Sequence, residues 1–520
     1  VAGRELRIAG GIAAAAVTLG VAELVAVLIS PDSTPLQAIG SSIVDHTPDG
    51  VREWVIQTFG TNDKLVLFIS MGAVALIAAG IAGLVERAHR PIGSILFAAL
   101  GLSAAVAAVT RSHASWTWAL PSLLGACAGI MVLRTLIRRI TDLDAAGESA
   151  TDTEKPAAEV NSDTALERRL VMRGIGIALG AGAAAGIVGR VLGARRRDVS
   201  GERAEVQLPP PAEPKVAVDP AADLRIPGLA SYLTPNRDFY RIDTALTVPQ
   251  VSKDDWSLRI HGMVDREIRI TYADLGSRQA IEKLVTLTCV SNPVGGDLIG
   301  NASWLGYRLD ELLAEAGPHA DADMVLSRSI DGFTAGSPLA VLTDGRDAML
   351  AVGMNGEPLP TAHGYPARLV VPGLYGYVSA TKWVTELEIT RFDRAQAYWT
   401  RRGWSARGPI KTGTRIDTPA GGSKPAAGKV TVAGVAWAQH RGIRAVEVRI
   451  DNGEWQPARL AAEPSVDTWR QWAFDWDATP GPHTIWARST DGDGVVQTSD
   501  RVGEIPDGAT GYASNFVRVG

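Results

Sequence analysis

Five stretches of the chain are apolar almost without interruption, and the remainder alternates between apolar and polar positions. The apolar runs cover about 6–29, 65–85, 92–109, 116–137 and 170–192. Each is close to the roughly 20 residues that a helix needs to cross a bilayer. Their many Gly and Ala residues suit close helix packing in lipid. The pattern predicts a four-helix transmembrane region over 1–140 and a fifth transmembrane helix over 170–193. Buried helices of a soluble core are the other reading, but several near-uncharged runs in succession are rare there.

Arginine placement sets an orientation. Arg87 and Arg90 lie between the second and third runs, and Arg134, Arg138 and Arg139 follow the fourth. The positive-inside rule puts both loops in the cytoplasm. The polar, acidic stretch 141–169 reads as a cytoplasmic linker. It ends in Glu167-Arg168-Arg169-Leu170-Val171-Met172-Arg173, which resembles a twin-arginine export signal inside the chain. Ordinary arginines flanking a helix are the alternative. Either way residues from 199 onward are expected outside the cytoplasm, in a multi-pass protein of the cell membrane. Arg195, Arg196 and Arg197 run against that orientation.

Past the last apolar run, the Pro- and Ala-rich stretch 194–223 reads as a stalk. A mixed region over 224–418 follows, with a hairpin pattern at 256–270, a short helix at 310–316 and a buried-strand run at 367–371. After a Pro/Gly-rich linker, 429–520 shows only short alternating runs separated by turn signals such as Asp451-Asn452-Gly453, the spacing of a β-sandwich.

Composition changes this picture in two places. The net charge of −5 over 520 residues shows no basic excess, which argues against nucleic acid as a partner. Of the 2 cysteines, Cys127 sits in an apolar run and Cys289 in the polar half, so the polar half has no internal disulfide. Cys289 is therefore either a small buried apolar residue or a functional thiol.

Its surroundings favour function. Leu287-Thr288-Cys289-Val290-Ser291-Asn292 is followed by Gly295-Gly296-Asp297 and by Asn301-Ala302-Ser303-Trp304-Leu305-Gly306. A thiolate is a soft metal ligand, and the flanking Gly and Asn permit tight turns around a bound group. A second segment runs from His363-Gly364-Tyr365-Pro366-Ala367-Arg368 through Pro372-Gly373 and Tyr375-Gly376 to Thr381-Lys382-Trp383. It gathers cations around glycine turns and reads as an anion cradle. A third, Thr234-Pro235-Asn236-Arg237-Asp238-Phe239-Tyr240-Arg241, offers an amide and two aromatics that could wrap a flat heterocycle.

In this order the three segments resemble the sulfite oxidase family of molybdenum enzymes, over about 224 to 520. The apolar runs lie outside the resemblance, and together the two give a multidomain chain: an α-helical transmembrane region, then, as the resemblance implies, an α+β sulfite-oxidase-type molybdopterin domain and an immunoglobulin-like β-sandwich of a kind that commonly forms homodimers. The resemblance also implies a molybdenum–molybdopterin cofactor. Cys289 would be the thiolate on the metal. Asn236, Phe239, Tyr240, Ser291, Asn292 and Ser329 would hold the pterin, and His363, Arg368, Thr381 and Lys382 its phosphate. Arg241 would face the substrate side of the metal, and Phe333 would stand where the family carries an active-site tyrosine.

The implied activity is oxygen-atom transfer at sulfur or a similar heteroatom. The substrate would be a small molecule, either a sulfite-like anion or a sulfoxide. The family's basic run after the metal cysteine is replaced by Asn292-Pro293-Val294, which leans toward a neutral or larger substrate. No Cys-x-x-Cys-His haem motif occurs in the sequence. Electrons are therefore expected to pass to a separate quinone or cytochrome partner, with the apolar runs anchoring the chain in the lipid bilayer. A membrane-tethered binding protein that kept the fold and lost catalysis is the alternative.

Overall fold

The structure, a computed structural model, describes residues 2–59, 62–111, 114–149, 157–213 and 217–520. It contains two compact units: Val1–Asp198 with Ala245–Thr247, and Val199–Thr244 with Val248–Gly520.

The first unit is helical. Its elements are α1 (Ala2–Ala26), α2 (Pro35–His46), α3 (Asp49–Phe59), α4 (Asp63–Val85), α5 (Ile92–Val109), α6 (Leu120–Ser149) and α7 (Ala157–Arg197). Five helices, over Gly3–Ala26, Asp63–Val85, Ile92–Val109, Trp116–Ala145 and Leu166–Glu205, are long and apolar enough to cross a membrane. Helix α1 packs against α4, α6 and α7, and small residues make this possible. A methyl group on Gly11 would come within 2.0 Å of the Ala79 carbonyl of α4, and one on Gly20 within 2.3 Å of the Gly182 carbonyl of α7. Backbones that close exclude any side chain at the crossing. Leu133, Ile137 and Ile140 of α6 fill the space beside Ala13 and Ala14. The carboxylate of Glu86 accepts from the Ser94 amide (2.8 Å) and hydroxyl (2.9 Å), closing the turn into α5.

The linker expected over 141–169 is helical at both described ends, since α6 runs on to Ser149 and α7 begins at Ala157. Its Ala, Leu, Glu and Arg residues are strong helix formers. Residues 150–156 lie outside the described residues.

The second unit opens with helix α8 (Ser200–Glu205), where a stalk was expected. Glu202 accepts from the Ser252 hydroxyl (2.6 Å), the Lys253 amide (2.8 Å) and the Tyr365 phenol (2.5 Å). Arg203 donates to the Leu359 and Pro358 carbonyls. These partners lie 50 to 163 residues away, which is why composition alone suggested an untethered segment.

Ten strands then form two sheets: β1 (Ser257–Gly262), β2 (Ile268–Thr271), β3 (Ile281–Thr288), β4 (Ile299–Arg308), β5 (Met324–Ser329), β6 (Thr334–Pro338), β7 (Met349–Met354), β8 (Glu357–Pro358), β9 (Arg368–Val370) and β10 (Val384–Thr390). One sheet has the order β2-β1-β10-β5-β6, with β1 and β10 parallel. In the other, β3-β4-β7-β8, strand β9 also pairs with β7. All ten β4 positions but the last are buried, so this strand is the floor beneath the site.

Eight further strands complete the unit: β11 (Gly413–Thr418), β12 (Gly428–Trp437), β13 (Ile443–Ile450), β14 (Gln456–Pro457), β15 (Arg459–Leu460), β16 (Arg470–Ala478), β17 (Gly481–Asp491) and β18 (Ala513–Val519). They form sheets β11-β12-β16-β15 and β14-β13-β17-β18. Val432, Ala436 and Trp472 of one meet Val446, Val448, Ile485 and Val517 of the other in one core, a β-sandwich.

Candidate functional site

Cys289 follows directly on β3, at the start of the loop that leads to β4. The loop is braced from inside. The Cys289 amide donates to the Leu298 carbonyl (2.9 Å), the Asn292 amide to the Cys289 carbonyl (3.1 Å), and the Asn292 side-chain oxygen accepts from the Leu298 amide (2.9 Å). Gly296 is required here, because a methyl group on it would meet that Asn292 oxygen at 2.5 Å. Asn292 thus shapes the loop, and Ser291 supplies hydrogen bonds to the thiol. Burial pushes the Cys289 thiol up, and the Ser291 bonds only partly offset this. An isolated thiolate is disfavoured in such a place, so the group ionises only with a positive partner.

The segment 234–241 lies along β4 and the turn between β7 and β8. The Phe239 ring stacks on Tyr240 (centroids 5.3 Å apart) and meets Trp304 (5.7 Å) and His363 (5.6 Å) edge-on. Asn236 accepts from Asn355 (2.8 Å) and donates to the Met354 carbonyl (3.3 Å), while its own carbonyl lies 3.0 Å from His363 Nε2. That acceptor fixes the His363 tautomer with the proton on Nε2. Burial, aided by Arg368, Lys382 and Arg241, pushes the imidazole down to about 4, so it is neutral at ordinary pH.

Arg368 opens β9. Its side chain is buried, its guanidinium carbon sits 5.0 Å from the Trp304 ring centroid, and its donors reach only carbonyls: His363 (3.2 Å), Ala380 (3.3 Å) and Leu369 (3.3 Å). Among the described residues no carboxylate pairs with it. Burial lowers it to about 10. A buried cation without a counter-ion is costly unless a ligand brings the anion. Lys382, pushed down to about 8 chiefly by burial, donates to Asp243 (2.7 Å). Asp243 also holds Arg241 at 2.7 Å, which joins Arg241 to the Lys382 end of the site. Thr381 is fully buried, its hydroxyl 2.7 Å from that of Ser327.

Burial pushes the Tyr240 phenol up, the Cys289 thiol adds to this and the Arg368 guanidinium opposes it, so both groups lie within electrostatic reach of that phenol. Ser329 and Phe333 sit together at the β5–β6 turn, where the Ser329 amide donates to the Phe333 carbonyl (2.9 Å). The Phe333 ring packs against Tyr398 (centroids 5.8 Å apart). The phenol coupled to the thiol, besides Tyr240, is Tyr375, which burial pushes up to about 12 and keeps as a neutral hydrogen-bonding group. Asp243 and Tyr375 were not singled out from sequence. An acid two positions after an arginine looks like a surface pair, and only the fold brings Lys382 to it from 139 residues away.

Among the described residues, no group of three or more His, Cys, Asp or Glu side chains could hold a metal. A metal on Cys289 has no such cluster of described side chains to complete its shell, so a group that brings its own ligands suits this site. That requirement, with the counter-ion-free Arg368, fits a dithiolene cofactor carrying a phosphate.

The comparisons point the same way. The family described as "oxidoreductase molybdopterin binding domain" matches residues 245–399. Human mitochondrial sulfite oxidase is 29% identical over 290 residues, covering 46% of this chain and 52% of that protein. The uncharacterized oxidoreductase YuiH of Bacillus subtilis (strain 168) is 31% identical over 153 residues, covering 29% of this chain and 74% of that protein. Among solved structures, the sulfane dehydrogenase SoxCD of Paracoccus pantotrophus aligns with a TM-score of 0.47 and 25% identity, over 52% of this chain and 75% of that one. The chain spans about half the length of the sulfite oxidases it matches. Because the matched region holds the thiol loop and the cradle, and the match to the small bacterial oxidoreductase runs through most of its length, this chain belongs to the sulfite oxidase family of molybdopterin-dependent oxidoreductases.

Proposed function

We propose that this protein is a membrane-bound molybdenum enzyme that moves an oxygen atom at sulfur or a similar heteroatom. It exchanges the electrons with a separate quinone or cytochrome. The observation that carries this reading is Arg368, a buried guanidinium that no carboxylate among the described residues pairs with, and that acts on the same Tyr240 phenol as the half-buried Cys289 thiol. When bound, the molybdenum–pterin supplies the two-electron oxygen chemistry.

The chain's residues do the rest. Cys289 is the protein's sulfur ligand. Arg368 and Lys382 grip the phosphate, with neutral His363 adding a polar wall, and Arg241, held by Asp243 beside Lys382, faces the substrate side of the metal. Thr381 positions the strand end behind them. Phe239, Tyr240, Asn236 and Ser329 border the pterin, and Ser291 and Asn292 shape the loop that presents the thiol. Tyr375 stays protonated and can hold a substrate oxygen near the sulfur ligand. The five apolar helices of the first unit span the membrane, with the second unit outside the cytoplasm.

Metal analysis tests this directly. Protein from a pterin-competent host should carry about one molybdenum and one pterin per chain, and Cys289→Ser should lose the sulfur-to-metal absorption band. Wild-type protein without molybdenum would remove the proposal.

A further inference from the structure

A second cluster of cations lies in the helical unit, where the chemistry proposed above does not use it. The turn from α4 into α5 and the later half of α6 enclose a cleft of about 60 Å³, whose lining includes Arg87, Arg134, Arg138, Glu86 and Asp142. A water needs roughly 15 Å³ of such space. The cleft therefore has room for about four, as many groups as a phosphate has oxygens. Three arginines against two carboxylates leave one positive charge in excess.

The two α6 arginines keep their donors available. Glu86 is buried, and its oxygens accept from the Ser94 amide (2.8 Å) and hydroxyl (2.9 Å). Arg134 Nε stands 3.8 Å from that carboxylate, near enough to be oriented and too far for a hydrogen bond. Among the described residues, neither the Arg134 nor the Arg138 side chain has a hydrogen-bond partner, and Arg138 has no carboxylate partner. Asp144, an acid one turn further along α6, is held by Arg7 (3.2 Å). The facing turn is stiff. Arg87 and Arg90 exchange backbone hydrogen bonds (3.2 Å each), and Arg87 Nη1 donates to the Leu84 (2.7 Å) and Glu86 (2.8 Å) carbonyls. Its other N–H groups remain at the cleft.

Counted back from Arg138 and Arg134 at helical spacing, Met131, Cys127 and Leu124 share their face of α6, and all three are exposed. From Leu124 to Arg134 that stripe is about 15 Å long at 1.5 Å per residue, half the roughly 30 Å hydrocarbon core. An apolar stripe one leaflet long thus ends in a basic cleft.

We propose that the cleft binds the phosphodiester headgroup of an anionic phospholipid of the phosphatidylglycerol type in the cytoplasmic leaflet, with an acyl chain along the α6 stripe. This rests on the membrane-spanning reading above and on the orientation that the positive-inside rule gives it. Basic pockets between transmembrane helices on that side recognise acidic lipids. The planar forks of Arg134 and Arg138 suit phosphate oxygens, and the single excess charge matches the single charge of a phosphodiester. A free phosphate would fill the cleft and leave the stripe uncovered.

Holoenzyme in an uncharged detergent tests this by titration with phosphatidylglycerol, bound lipid being counted by native mass spectrometry. The wild type should take up about one lipid per chain, at least about tenfold more tightly than phosphatidylcholine. Arg138→Gln should weaken the binding about tenfold, as loss of a charge-assisted contact does. Arg139→Gln removes the same charge one position along, at an exposed residue outside the cleft lining, and should weaken it less than about twofold. Asp142→Asn should tighten it about threefold. Arg138, Arg139 and Asp142 are all exposed, and equal lipid-free melting temperatures check that the variants fold alike. Equal losses in Arg138→Gln and Arg139→Gln overturn the proposal, because the helix end then attracts lipid through its overall charge alone. An affinity for inorganic phosphate that equals the affinity for the lipid also overturns it and assigns the cleft to the free ion. Extraction separates the two levels. A chain that leaves membranes in alkaline carbonate without detergent removes the membrane reading and this proposal with it. An integral chain whose two arginine variants bind alike removes this proposal alone.

Discussion

Replacing Arg368 by methionine should leave the cofactor-free protein about as stable as before while abolishing its hold on the pterin phosphate. Burial lowers the guanidinium from 12.5 to about 10, a cost of about 3 kcal/mol for keeping the charge inside. Methionine relieves that cost and keeps a flexible stem against Trp304. It also removes three hydrogen bonds to carbonyls, all 3.2–3.3 Å long, each worth about 1 kcal/mol. The two effects cancel to within about 1 kcal/mol. The phosphate, in contrast, loses charge-assisted bonds worth about 1.5–3 kcal/mol each, so pterin retention should fall a hundredfold or more. Chemical denaturation of the cofactor-free chain gives the first quantity, and pterin content after dialysis gives the second. If the cofactor-free variant loses more than about 3 kcal/mol while the loaded protein keeps its pterin, Arg368 is a structural residue and the cradle argument fails.

Other outcomes follow from the same geometry. Cys289→Ser should fold normally and show no turnover; full turnover would rule out sulfur ligation. His363 is held neutral at about 4 against 6.5 in the unfolded chain. The folded state therefore binds fewer protons between those values, and stability present above pH 6.5 is lost as pH falls toward 4, by about 3 kcal/mol. His363→Asn should flatten that part of the pH–stability curve, and an unchanged slope would show that other groups carry it. Arg168→Lys with Arg169→Lys should leave the second unit shielded from protease added to intact cells. Normal accessibility would remove the export signal.

What could be read in advance divides along the range of the interactions. The apolar runs became helices because about 20 uncharged residues in a row state their own environment. The hairpin at 256–270, the helix Leu309–Ala316 and the buried strand Arg368–Val370 announce themselves through neighbouring residues. Cys289 and Arg368 were visible because glycine turns and cation clusters are local in sequence. Asp243 was not, because its meaning lies in Lys382. Tyr375, whose phenol feels the Cys289 thiol, was not named, since no local pattern says which aromatic ring a fold will bring within reach of a thiol. The tethering of 200–205 was hidden for the same reason, as Glu202 finds Tyr365 only through the fold.

Long-range contacts also set how charge is distributed in the second unit. Arg368 on β9 and Lys382 in the turn before β10 are both buried in the α+β core, where a charge is screened less than at the surface. In the sandwich Arg415 of β11, which donates to the Gly296 carbonyl of the cysteine loop, is paired by Asp417 two residues on, and Arg441, after β12, takes Asp491 from the end of β17 in the other sheet. Paired charge thus lines the sandwich beside the cysteine loop, whereas Arg368, a guanidinium that no carboxylate among the described residues pairs with, lies in the α+β core, where a bound anion would complete it.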